Sequence, residues 1–73
     1  MEFALDKKLR HRIDDLLRSS IPAKVQKRLF AFIWMDDGKS IEEVAALLRI
    51  STRSVRDWLR IFRNKGFDAL MPF

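Results

Sequence analysis

The chain has 73 residues, a formal net charge of +5 and no cysteine. That length holds one domain with a small core, and without cysteine neither a disulfide framework nor a thiolate metal site can reinforce it. A hydrophobic share of 48%, a charged share of 34% and only two glycines and two prolines exclude a disordered chain and favour an all-helical fold.

The segment from Met1 to Arg10 is charged and lacks the long apolar stretch of an export signal. The first helix is predicted from about Leu5 to Arg18, because Leu5, Leu9, Ile13, Leu16 and Leu17 form one stripe at helical spacing. His11 falls opposite that stripe and is expected to be exposed. A lone histidine with no converging ligands makes no metal site, so neither metal nor cofactor is expected. Ser19-Ser20-Ile21-Pro22 breaks the helix, since proline suits a first helical turn and not an interior.

A second helix is predicted from near Pro22 to about Asp36. Val25, Leu29, Phe32 and Ile33 form its main stripe, and Phe30 and Trp34 add a second apolar face. The run Leu29–Met35 falls far short of the ~20 apolar residues of a membrane span. It reads as a central helix with core packing on both sides; exposure of Phe30 or Trp34 as a dimer contact is the alternative. Gly38 suits a left-handed position after the helix. The adjacent acids Asp36-Asp37 and Glu42-Glu43 are read as helix-end and first-turn residues placed by the helix dipole.

Ser40 with Glu43 is a capping-box pattern that opens a third helix, to about Leu48. Ile41, Val44, Ala45 and Leu48 are expected to face inward, and the small Ala45 and Ala46 allow close approach of a neighbour. The chain turns through Arg49-Ile50-Ser51, with Ile50 as a core plug and Ser51 as the cap of a fourth helix. That helix is predicted to run to about Asn64 and to stop at Gly66. Phe67 to Phe73 is too short for another full helix; it either packs back on the bundle or begins a linker. The organisation read from these breaks is an N-terminal helix and connection over 1–21, a helix-turn-helix core over 22–66 and a tail over 67–73.

The fourth helix carries the charge. Between Arg49 and Lys65 there are six basic residues and one acid, so the whole excess of +5 lies there. On a helix, Arg53, Arg56, Arg60 and Arg63 share an arc of roughly 80°. Val55, Trp58, Leu59 and Phe62 occupy another arc, centred roughly 130° away. One face docks, and the other presents a focused positive field suited to a polyanion, of which double-stranded DNA is the expected one.

The run Gly38-x-Ser40-Ile41-x-Glu43-Val44-Ala45-x-x-Leu48-x-Ile50-Ser51-x-x-Ser54-Val55-x-x-Trp58-Leu59-x-x-Phe62, followed by Lys65-Gly66-Phe67-x-Ala69-Leu70, resembles the N-terminal helix-turn-helix domain of bacterial insertion-sequence transposases. It is also similar to the homeodomain-like, paired-type domains of mariner-like transposases. The resemblance covers roughly residues 22 to 71. It implies a small homeodomain-like bundle, to which this chain adds an N-terminal helix, with Ser40–Leu48 as positioning helix and Ser51–Arg63 as recognition helix. Carried onto this sequence, Thr52, Arg53 and Arg56 read base edges, with Asp57 a lesser candidate. Ser51, Arg60, Arg63, Arg49 and Lys39 fall to phosphates. Arg49 stands where the family often has glycine, a departure that strains the chain if the position is left-handed. Such domains usually precede a catalytic domain with acidic metal ligands, which is not read here.

The implied function is sequence-specific DNA binding as the end-recognition domain of a transposase or a remnant of one, in the cytoplasm at the nucleoid. A stand-alone transcriptional regulator on the same module is the alternative. From another class comes a protein-interaction module that dimerises through the first helix or through Phe30 and Trp34; a homodimer is also compatible with DNA binding. RNA binding lacks the usual aromatic platform. An enzyme lacks a nucleophile constellation and a phosphate loop.

Overall fold

Asp6 starts the first helix in a computed structural model of the protein, which describes residues 3–70. Its carboxylate accepts the Leu9 backbone N–H at 2.7 Å and caps α1, Lys7–Arg18. The helix therefore begins two residues after the Leu5 that its apolar stripe suggested, because Asp6 intercepts an amide that a longer helix would use internally. Helix α2, Ala23–Asp36, follows Pro22; α3 is Ile41–Leu48 and α4 is Thr52–Lys65. The expected all-α bundle with an extra N-terminal helix is thus the observed one.

Helix α2 is the centre: it packs against α1 and against α3, and α3 packs against α4. Its stripe Val25, Leu29, Phe32 and Ile33 is buried as expected, together with Ala31 and Met35. Ile13 from α1, Val44 from α3 and Val55 from α4 are each 0% exposed and join the same core. The second face of α2 is divided: Trp34 is half-buried and packs against the core as expected, whereas Phe30 is not. Phe30 is 39% exposed and stacks on Trp34 at 5.6 Å, on a side that no other described element covers fully. Ala46 is also exposed, so Ala45 alone provides the close approach. An aromatic trio ties the N-terminal segment to the bundle, with Phe32 lying 5.8 Å from Phe3 and 5.2 Å from Phe62.

Asp36 and Asp37 need a different account from the helix dipole, which disfavours carboxylates at a helix C-terminus. Asp36 accepts the Leu5 backbone N–H at 2.8 Å and the Arg10 guanidinium at 2.6 Å; Asp37 accepts the same guanidinium at 3.2 Å. The pair clamps α1 and its lead-in to the end of α2. These bonds, Asp36 first and Asp37 second, raise the Arg10 pKa above its ordinary value.

The tail packs back. Phe67–Leu70 forms a single turn of 3₁₀ helix, with Phe67 and Leu70 buried against the bundle. Arg12 reaches it from α1, stacking over the Phe67 ring at 5.0 Å and pairing with Asp68 at 2.7 Å. Arg28 reaches it from α2, donating to the Leu70 carbonyl at 2.9 Å while lying over the Trp58 ring at 5.9 Å. The expectation for the last three positions, 71–73, lies outside the described residues.

Candidate nucleic-acid interface

The local geometry of α3, the turn and α4 follows from short-range polar chemistry. Ser40 Oγ accepts the Glu43 N–H at 3.1 Å and Glu43 Oε1 accepts the Ser40 N–H at 3.0 Å, a reciprocal capping box. The Ser40 backbone N–H foremost, and the Ser40 side chain second, hold the Glu43 carboxyl below its ordinary pKa. Helix α3 ends with Ile50 N–H bonded to the Ala45 carbonyl at 3.0 Å and Arg49 N–H to the Ala46 carbonyl at 3.2 Å. That pairing is a Schellman motif, and it requires a left-handed residue at Arg49, observed at φ 58°, ψ 44°. Ile50 turns in towards the core, and Ser51 then caps α4 by accepting the Ser54 N–H at 3.2 Å. The turn so built directs α4 across α3.

Helix α4 docks through Val55 and Leu59, which are buried, with Trp58 and Phe62 half-buried beside them. The opposite surface carries the arginines. Arg53, Arg56, Arg60 and Arg63 are all exposed, and the Arg56 and Arg60 side chains retain 63% and 70% of their accessible surface. An open groove of about 310 Å³ runs between the start of α3 and the middle and end of α4, lined by Ile41, Arg56, Leu59, Arg60, Arg63 and Asn64. Three of the four arginines therefore converge on one groove, whereas Arg53 stands apart at the first turn of α4. Asn64 joins them without having been singled out. Its spacing of four from Arg60 was the available signal.

Two acids moderate this surface. Asp57 accepts from Arg60 at 3.3 Å, and Glu42 on α3 stands 3.9 Å from Arg56. Both pairs are exposed, so each holds its arginine weakly and can yield it to a stronger anion. Thr52 is half-buried at the start of α4, and Ser51 is engaged as the cap. Arg49 is exposed at the turn and Lys39 at the α2–α3 connection, both away from the groove lining. His11 is exposed as expected, and no helix of the described residues is long and apolar enough to cross a membrane. The arrangement gives a helix whose outward face is cationic and hydrogen-bond-donating, with a hydrogen-bonded turn at its base.

No curated protein and no solved structure matches the chain. A family model described as a helix-turn-helix domain matches residues 27–72, which takes in most of α2, all of α3, the turn and α4. With two helices joined by a Schellman turn and braced by a third, the chain belongs to the helix-turn-helix domain family, a DNA-binding module.

Proposed function

We propose that the protein recognises a specific double-stranded DNA site by placing α4 in the major groove, and that it is the end-recognition domain of a transposase or a remnant of one. The observation that carries this reading is the arc of four exposed arginines on the helix that follows the turn. Arginine can donate two bonds to O6 and N7 of guanine, the commonest specific major-groove contact. Thr52, Arg53 and Arg56 lie at the N-terminal half of α4, the part that meets base edges in this mode of docking. Asp57 accepts from the cytosine amino group when Arg60 swings to a phosphate. Arg60, Arg63, Arg49, Lys39 and the Ser51 hydroxyl provide backbone contacts, which supply affinity without sequence information. Residues 22–66 form the reading unit and 1–21 brace it. The transposase assignment rests on the similarity of the Trp58-Leu59 and Gly66-Phe67 run to such domains.

Fluorescence anisotropy with a labelled duplex tests the reading. Saturable binding that falls steeply with salt supports it, because each phosphate neutralised releases condensed counterions. Binding site selection from a random pool follows. Enrichment of sites found at the repeated ends of mobile elements supports the transposase assignment, and enrichment of promoter sites points to a regulator. No binding at low salt overturns the DNA reading.

A further inference from the structure

We infer that the outer face of α2 is a self-complementary docking stripe for a second copy of this chain. At 100° per residue, Ala23, Lys27, Phe30, Trp34 and Asp37 fall within an arc of roughly 80° on α2 and its cap. Ala23, Lys27, Phe30 and Asp37 are exposed and Trp34 is half-buried. The Phe30–Trp34 stack at 5.6 Å sits in the middle, with the cation on one side and the carboxylate on the other.

The order along the stripe identifies the occupant. Phe30 and Trp34 are centred on position 32, and so are Lys27 and Asp37. Two copies of α2 laid antiparallel about a two-fold axis at that level bring each Phe30 against the partner's Trp34. The same register brings each Lys27 against the partner's Asp37. One symmetric operation satisfies both, as an isologous interface requires. The result is an aromatic centre flanked by two ion pairs, the usual arrangement of an apolar core within a polar rim. Asp37 pairs with Arg10 at 3.2 Å but keeps 53% of its side chain exposed, so its carboxylate is open to a second cation, the partner's lysine. None of the stripe residues belongs to α4, so dimerisation leaves the arginine arc on a separate helix. The inference does not depend on the DNA reading and is tested without DNA.

Sedimentation velocity over rising protein concentration at low salt reads it directly. A monomer–dimer equilibrium is expected. Phe30→Ala should weaken association by about tenfold, since a central aromatic carries much of such an interface. Lys27→Asp alone and Asp37→Lys alone should each weaken it, and the double exchange should restore it. Far-ultraviolet circular dichroism confirms that each variant is folded. A chain carrying Lys27→Cys and Asp37→Cys gives the register independently. Within one chain these positions lie about 15 Å apart along the helix, beyond disulfide reach, so only a partner can bridge them. Oxidation should give a covalent dimer. A monomer at every concentration up to the millimolar range overturns the inference. So does a dimer indifferent to Phe30→Ala and to the charge exchange, or one that fails to cross-link.

Discussion

Arg49 and Gly38 occupy equivalent left-handed positions in two successive helix C-terminal turns. After α2, Lys39 N–H bonds the Trp34 carbonyl and Gly38 N–H bonds the Met35 carbonyl, at 3.0 and 3.1 Å. After α3, Ile50 and Arg49 repeat the pattern on Ala45 and Ala46. Glycine adopts this conformation without a Cβ penalty, but arginine does not. Arg49→Gly should therefore raise stability by about 1 kcal/mol, the relief being partly offset by glycine's freedom in the unfolded chain. Chemical denaturation checks the gain. Weaker DNA binding in the same variant would show that the strain is retained for a phosphate contact at Arg49.

Asp36→Ala should destabilise the chain by about 1–3 kcal/mol, because it strands the Leu5 N–H in a partly shielded site and leaves the Arg10 guanidinium on its longer contacts to Asp37 and Asp14. Only 17% of the Asp36 side chain is exposed, so water replaces the lost acceptor poorly. The loss should concentrate on α1, and hydrogen exchange by residue would show it. Uniform protection changes across α3 and α4 would mean that the clamp has a different role.

How legible these features were in the sequence depends on the range of the interaction. The starts of α3 and α4 were legible because Ser40, Glu43 and Ser51 bond amides within three residues of themselves. The clamp was not, since Arg10 and Asp36 are 26 positions apart and no local pattern links them. The direction of Phe30 was ambiguous because α2 is apolar on two faces, and only the placement of α1 and α3 decides which face is covered. Likewise the tail docks through Arg12 and Arg28, whose reach depends on the completed bundle. On α4, the arginine arc could be read from spacing alone. Its division into Arg53 at one end and a groove holding Arg56, Arg60, Arg63 and Asn64 required the crossing of α3 over α4.

The capping box should make stability depend on acid. Glu43 holds its proton less tightly in the folded chain than its ordinary pKa of 4.5, because Ser40 donates to the ionised form. That contribution is fully present above the unfolded value and is lost as the pH falls through the lowered folded value. Thermal melts of the parent and of Glu43→Gln, followed from neutral pH downwards, should converge in acid. Parallel curves over that range would remove Glu43 as a source of the dependence.

Leu59→Ala tests the docking face of α4. Leu59 is 3% exposed, and truncation of a buried leucine costs about 2–5 kcal/mol. In a single small domain this is enough to unfold a large fraction of molecules. An unchanged melting midpoint would place the docking face elsewhere on the helix.

The arginine arc should separate into two kinds of residue when each is truncated. Arg53→Ala and Arg56→Ala should relax sequence preference, each bidentate contact being worth about 1–3 kcal/mol of discrimination. Glu42 stands 3.9 Å from Arg56 on α3 as a weak competitor for its charge, so Glu42→Ala should tighten binding without moving the preferred base. Arg63→Ala lies farther along α4 and should weaken all duplexes alike, lowering the slope of log affinity against log salt by about one unit. Competition among site variants, measured at two salt concentrations, distinguishes these effects. Equal loss on every site for Arg53→Ala and Arg56→Ala would move base reading away from the start of α4, and a site-dependent loss for Arg63→Ala would move it towards the groove beside Asn64.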